Sequence, residues 1–223
     1  MKREHILITN FNGNPNVGLY GFANDKYCLI GREVPEKLYK KIEEILDVKV
    51  IPITIAGTSL IGVFLNGNNK TLLVPNIIFE NEIEILRKNK IKYNIMNTKY
   101  TCLGNNMVIN DNGAIISPDY GSREINQIND SLGVNMISSK IANHKTVGSL
   151  IAHNKKGLLC HNDLNENDAK TLKKILRLKI TTGTINMGNP FIRSGILCNS
   201  KGMIIGDFSG GPEIMNAEEA LFK

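Results

Sequence analysis

Chemistry in this chain would have to begin with its thiols and imidazoles, four of each: Cys28, Cys102, Cys160 and Cys198, and His5, His144, His153 and His161. No two cysteines form a C-x-x-C pair, so zinc-ribbon and thioredoxin-type chemistry fail on spacing. Scattered single thiols suit a reduced, intracellular protein, and the cytoplasm is the expected address. The histidines show no H-E-x-x-H or comparable metal spacing, so they read as structural or solvent-facing, with neither a metal site nor a cofactor expected. A cysteine nucleophile needs a base and an orienting group within reach. Cys198 lies in the apolar stretch Ile196-Leu-Cys-Asn199, while Cys28 and Cys160 fall in apolar triplets, positions that read as packing. Gly206-Asp-Phe-Ser-Gly-Gly-Pro-Glu213 has the form of an anion-binding loop entering a helix. Pro212 at the helix start makes it equally an ordinary turn, and that is the preferred reading.

The composition is that of a globular protein, 42% hydrophobic and 22% charged over 223 residues, which argues against disorder and fibrous repeats. Twenty-seven basic and 21 acidic residues leave a formal charge of +6, compatible with nucleic acid or another acidic partner. Basic residues gather at Lys37, Lys40 and Lys41, at Arg87 and Lys88, and at Lys170, Lys173, Lys174 and Arg177. Interleaved acids such as Glu36, Glu43, Glu44 and Glu84 mark these as solvated outer faces. No aromatic stripe accompanies them, so stacking on single-stranded RNA is not supported. The N-terminal apolar run, Ile6 to Ile8, is too short for a signal peptide. No segment approaches the roughly 18 apolar residues of a membrane span.

The elements that must position any site come from a five-fold internal repeat. With Gly18, Gly62, Gly104, Gly148 and Arg193 as anchors, the steps are 44, 42, 44 and 45 residues. The residue before each anchor is apolar, and the sixth residue after it is always asparagine: Asn24, Asn68, Asn110, Asn154 and Asn199. Ten to twelve after the anchors stand the triplets Cys28-Leu-Ile30, Leu72-Leu-Val74, Ala114-Ile-Ile116, Leu158-Leu-Cys160 and Met203-Ile-Ile205. Asparagine tolerates positive φ and bonds its own backbone, so segments such as Asn110-Asp-Asn-Gly113 and Asn199-Ser-Lys-Gly202 predict hairpin turns. The continuous triplets predict strands buried on both faces.

A helical pattern follows each hairpin: Leu38, Ile42, Ile45 and Leu46 behind Pro35; Phe79, Ile83 and Leu86; Ile125, Ile128 and Leu132; Ala169, Leu172, Ile175 and Leu176; Ile214, Ala217 and Leu221. A third strand leads onward, as in Val48-Lys-Val-Ile-Pro-Ile53 and Lys90-Ile-Lys-Tyr-Asn-Ile-Met96. The unit is therefore ββαβ, repeated over about 12–55, 56–98, 99–141, 142–186 and 187–223. The fifth unit lacks its third strand while the apolar segment 5–11 is unassigned, so the N-terminal strand is expected to complete it. That closes one α/β domain around a pseudo-five-fold axis, with helices outside.

Within this frame the motifs Asn16-Val-Gly18, Ile55-Ala-Gly-Thr-Ser-Leu-Ile-Gly62, Leu72-Leu-Val-Pro75, Leu103-Gly-Asn105, Thr146-Val-Gly-Ser149, Gly183-Thr-Ile-Asn-Met-Gly188 and Gly210-Gly-Pro-Glu213 resemble, in order and spacing, the archaeal translation initiation factor 6 family. The resemblance runs from about Asn14 to Glu219 and departs from the family where Arg193 replaces the usual glycine. It implies the pentein fold, or α/β propeller. It also implies binding to the large ribosomal subunit beside ribosomal protein L14 and near the sarcin-ricin loop region of its rRNA, which blocks joining to the small subunit in initiation or subunit maturation. A monomer without turnover or small-molecule substrate is expected. The rival readings are a pentein-fold guanidine-modifying enzyme and an RNA-binding ribosome assembly protein. The first would need Cys198, a histidine and two acids, and the acids have no evident counterpart in the fourth or fifth unit.

In a closed ring the five loops leading into the anchors gather at one end as a broad polar surface with few charges, suited to a protein or rRNA partner. From these loops come the candidate ribosome-binding residues Asn14, Asn16, Thr58, Ser59, Thr101, His144, Lys145 and Asn189. Asn105 and Asn106, just after the third anchor, complete the set. Asn105 is the strongest single choice, because the family motif carries asparagine there.

Overall fold

The computed structural model describes residues 4 to 223. Each repeat forms a three-stranded sheet in which an antiparallel hairpin is followed by a helix and a third strand parallel to the second. The first unit holds β2 (Gly21–Ala23), β3 (Tyr27–Gly31) and β4 (Lys49–Ile53). The next units hold β5 (Asn66–Gly67), β6 (Leu72–Pro75) and β7 (Tyr93–Met96), then β8 (Met107–Ile109), β9 (Gly113–Ile116) and β10 (Asn135–Ser138). The fourth holds β11 (Ile151–His153), β12 (Gly157–His161) and β13 (Lys179–Gly183). The fifth holds β14 (Ile196–Cys198) and β15 (Met203–Gly206), and its third strand is β1 (Ile6–Thr9), parallel to β15 with Ile6 opposite Met203. The chain closes on itself as the unassigned N-terminal segment predicts.

The middle strands are buried along nearly their whole length because sheet neighbours cover their edges and packed side chains cover both faces. The five helices, Tyr39–Leu46, Glu80–Lys88, Ser122–Leu132, Glu166–Leu176 and Gly211–Phe222, turn apolar stripes inward. Phe79 is not in its helix as expected. It is the extended residue before the helix start, 53% exposed, because its backbone N–H is claimed by Glu82 of the first turn at 2.9 Å. The third strand of that unit begins at Tyr93 and not Lys90, since Lys90 adopts a left-handed φ of 56° just past the helix end.

The apolar clusters lie across the seams between units. Phe22, Leu29 and Ile51 of the first unit pack with Ile61, Leu72 and Leu86 of the second. Leu197 and Ile204 of the fifth pack with Val17, Ile30 and Ile42 of the first. Glycine at four anchors is dictated by this close approach. A Cβ on Gly62 would lie against the carbonyl oxygens of Gly18 and Gly21, and one on Gly104 against that of Gly62.

The recurring asparagines have a second task besides the turn. Asn199 Oδ1 accepts the N–H groups of Lys201 (2.9 Å) and Gly202 (3.1 Å), as the hairpin requires. Its Nδ2 donates to Asn24 O (3.1 Å) and Leu46 O (2.7 Å), tying the fifth hairpin to the first and capping a helix end across the seam. Asn154 does the same with Asn199 O (3.1 Å) and Leu221 O (2.8 Å). Asn68 is the exception, its buried Nδ2 without a partner.

Candidate binding surface

In a strand–helix–strand crossover the helix N-terminus sits at the carboxyl end of the strand before it. Ten loops therefore share one end of this ring: five entering helices and five entering anchors. Four of the latter make a tight turn, closed by the bridged pairs Phe11 with Asn14, Ile55 with Thr58, Ile141 with His144 and, one residue longer, Ile185 with Asn189. The turns need left-handed backbone, as at Asn12 (φ 54°), Ala56 (51°), Ala142 (47°) and Asn186 (48°). The third unit has no such turn; there Thr98 Oγ1 accepts the Tyr100 N–H at 3.0 Å.

Helix acids hold three of these turns, and in the fourth Asn10 Oδ1 accepts from Gly13 N at 2.7 Å. Glu82 accepts from Ala56 N and Gly57 N, both at 2.9 Å, and Asp168 from Ala142 N at 2.8 Å. Glu213 accepts from Gly188 N (2.9 Å), Met187 N (3.2 Å) and Gly210 N (2.9 Å). Burial alone would raise the Glu213 carboxyl, but these bonds and one from Thr184 outweigh it and hold it below the usual range. An anion-binding loop at 206–213 is thus already filled by the protein's own carboxylate, as the ordinary-turn reading expects.

All ten candidate residues lie at this end, with unequal freedom. Ser59 is 5% exposed and its hydroxyl accepts from Glu33 N at 3.2 Å, so it supports a neighbouring loop and does not belong to an accessible face. Asn14 donates to the Tyr20 hydroxyl (3.0 Å) and accepts from Asn16 N (2.9 Å) and Asn16 Nδ2 (3.1 Å). Thr58 accepts from Leu60 N (3.3 Å), and Asn189 from Phe191 N (2.9 Å). Exposed Lys145 pairs with Asp119 at 2.6 Å. His144 packs at 5.4 Å from His161 and 5.6 Å from Phe191. Asn106 meets the Tyr120 hydroxyl. Thr101 and Asn105 are half-buried, and their side chains make no hydrogen bond to the described residues.

The surface is less polar than expected. Met187 is 81% exposed, Phe208 54%, Phe79 53% and Phe191 38%, with Ile77 and Leu60 beside them in the same loops. The anchor loops alone suggest polarity; the helix-entry loops bring in Phe79 and Phe208.

At the opposite end the hairpin turns surround an axial cavity of about 330 Å³, lined among others by Asp25, Asp111, His153, Lys155 and Cys198. Two acids, a histidine and a cysteine do meet here, although the acids come from the first and third units. Their states oppose catalysis. Burial pushes the Cys198 thiol up to about 12, and its Sγ faces the His153 carbonyl (3.4 Å), not the imidazole. Burial, with nearby Arg193, lowers His153 to about 4. Asp25 is bound by Lys155 (2.8 Å) and Ser200 N (2.9 Å), and Asp111 by Asn69 Nδ2 (2.7 Å). Arg193 fills the position its neighbours leave to glycine: its guanidinium crosses the axis to Leu65 O at 3.4 Å, and burial lowers it to about 10, still charged at neutral pH. A guanidinium substrate would meet that cation. Cys28 and Cys160 are fully buried, with burial raising each to about 12.

Five ββαβ sheets closed around an axis define a pentein. The chain shares this fold with a dimethylarginine dimethylaminohydrolase solved as an adduct with S-methyl-L-thiocitrulline, at a TM-score of 0.51 and 13% identity, covering 79% of this chain and 69% of that one. A family model described as the eIF-6 family matches residues 6–220. The chain is 35% identical over 220 residues to translation initiation factor 6 of Staphylothermus marinus, covering 97% of both proteins. It is 36% identical to that of Saccharolobus islandicus, over 94% of this chain and 95% of the other. The Pyrococcus abyssi protein of the same name is 34% identical, over 97% and 98%. This chain belongs to the eIF-6 family of translation initiation factors. No helix among the described residues is long and apolar enough to cross a membrane.

Proposed function

We propose that the protein binds the large ribosomal subunit through the loop end of the ring and keeps the small subunit from joining it, by occupancy and without turnover. The observation that carries this is the exposure, in loops of one end, of the apolar side chains of Met187, Phe191, Phe208 and Phe79, with the unpartnered side chains of Asn105 and Thr101 at the same end. Apolar anchors with a polar surround are the anatomy of a protein-docking patch, and ribosomal protein L14 with the adjoining sarcin-ricin loop region is the contact the family resemblance implies. A patch of about 800 Å² per partner suffices to exclude a competing subunit. Cys28, Cys160 and Cys198, whose thiols burial keeps protonated, supply no nucleophile for turnover.

Co-sedimentation with separated subunits is the test. The protein should travel with the large subunit and keep it free at magnesium levels that otherwise favour joining. Met187→Asp combined with Phe208→Asp should abolish this, and Asn105→Arg should weaken it, without loss of fold. Preferential sedimentation with the small subunit, or undiminished joining at saturating protein, would overturn the proposal.

A further inference from the structure

Most lysines of the outer helices alternate with acids, but six lysines, one of them at a helix end, gather without any. Lys26, Lys49, Lys70, Lys88, Lys90 and Lys92 line one groove of about 420 Å³ between the first and second units, and no carboxylate lines it with them. All six are exposed. None makes an ion pair among the described residues; Lys49 Nζ donates to Asn89 Oδ1 at 2.9 Å. The chain's formal charge is +6, so this one groove holds the equivalent of its whole positive excess.

Local structure explains only one of the six. Lys88 is in the last turn of its helix, where a cation is favoured. Lys26 and Lys70 are equivalent residues of two successive hairpin turns, Lys49 opens β4, and Lys90 and Lys92 lead into β7. Like charges brought together without counter-charges repel, and a polyanion relieves that repulsion.

We infer that this groove, at the hairpin end of the seam, holds the phosphodiester backbone of RNA, a second contact that rests on the ribosome-binding reading and lies away from the loop end. Lysine without arginine supplies point charges suited to contacting phosphates without reading bases. The floor favours RNA over an acidic peptide. Ile51 and Ile91 are 5% and 7% exposed, so the groove offers no open apolar pocket for a peptide side chain to anchor in.

Fluorescence anisotropy with a labelled RNA stem-loop, and with polyglutamate of matched charge, tests the inference. Lys49→Glu with Lys90→Glu is compared with Lys170→Glu and Lys173→Glu on the fourth helix, which changes net charge equally. The groove variant should lose more than about tenfold in stem-loop affinity and flatten the slope of log affinity against log salt by about 2, while the control changes little. Thermal unfolding should find the groove variant no less stable than the wild type, since repulsion is relieved. Equal losses in both variants would reduce the effect to net charge and overturn the inference. Tighter wild-type binding to polyglutamate than to RNA would also overturn it, in favour of an acidic protein partner. Subunit co-sedimentation separates the two readings: failure of the wild type sinks the proposed function, whereas equal sedimentation of wild type and groove variant sinks the groove contact alone.

Discussion

The two ends of this ring are made by the same five repeats, yet they are held by different means. At the hairpin end asparagine side chains cross from unit to unit, as Asn199 does to Asn24 and Leu46, and the polar groups are mostly consumed in the protein's own structure. At the loop end three of the four tight turns are held by an acid from a nearby helix, as Glu82 holds Ala56 and Gly57, which leaves the side chains beyond them free. Met187 is 81% exposed on such a turn. Internal bonding at one end thus maintains closure, while backbone-directed bonding at the other presents variable side chains from a fixed frame.

The comparison can be broken most forcefully between the ends, at the anchors. Gly62→Ala places a methyl group against two backbone carbonyls that cannot move independently, and is expected to cost more than about 4 kcal/mol, or to prevent folding, in chemical denaturation. Next comes the asparagine ring. Asn199→Ala should cost about 3 kcal/mol, because buried groups lose partners across a seam, and Asn68→Ala only about 1, since its Nδ2 has no partner to lose. Equal losses at the two positions would refute the cross-seam role.

A pH series separates the ends further. His153, at the hairpin end, has a folded pKa lowered to about 4 from the ordinary 6.5, chiefly by burial. The unfolded chain therefore takes up a proton that the folded one refuses, so stability is fully present above about 6.5 and is lost as pH falls toward 4. The loss attributable to His153 should reach about 2 kcal/mol by pH 5. His153→Gln should remove that part of the slope, measured by denaturation at each pH. The smallest effect is expected at the loop end: Met187→Ser with Phe208→Ser should change stability by less than about 0.5 kcal/mol while weakening subunit binding.

Much of the frame is legible in the residues because the units repeat. Five asparagines in register predict five hairpins, and a missing third strand predicts that the segment 5–11 completes the fifth unit, where residues 6–9 pair with 203–206. The site is less legible, since it is built from what differs between units. Phe79 and Phe208 recur at no equivalent position, and the motifs of the helix-entry loops say nothing of their exposure. Ser59 has the type and loop position of a surface residue, and only the fold shows its hydroxyl turned to Glu33. Asp25 and Asp111 are far apart in sequence and meet at one cavity only because hairpins from all five units converge on the axis. Arg193 reads as a lost glycine; what it gains, a cation laid across the lumen to Leu65, depends on a neighbour 128 residues away.

The closure by β1 sets an order of events in time. Ile6 pairs with Met203 and Thr9 with Gly206, so β1 finds its partner strand only after the four intervening sheets have been synthesised. The intervening sheets form from local hairpins and crossovers as the chain emerges, but the last must wait for the longest loop closure in the molecule, the kind of contact that slows folding. The ring clasps shut after its C-terminal hairpin has left the ribosome that made it, and a chain released early lacks the strand that β1 needs. Synthesis through β15 is in this way a condition for a closed ring.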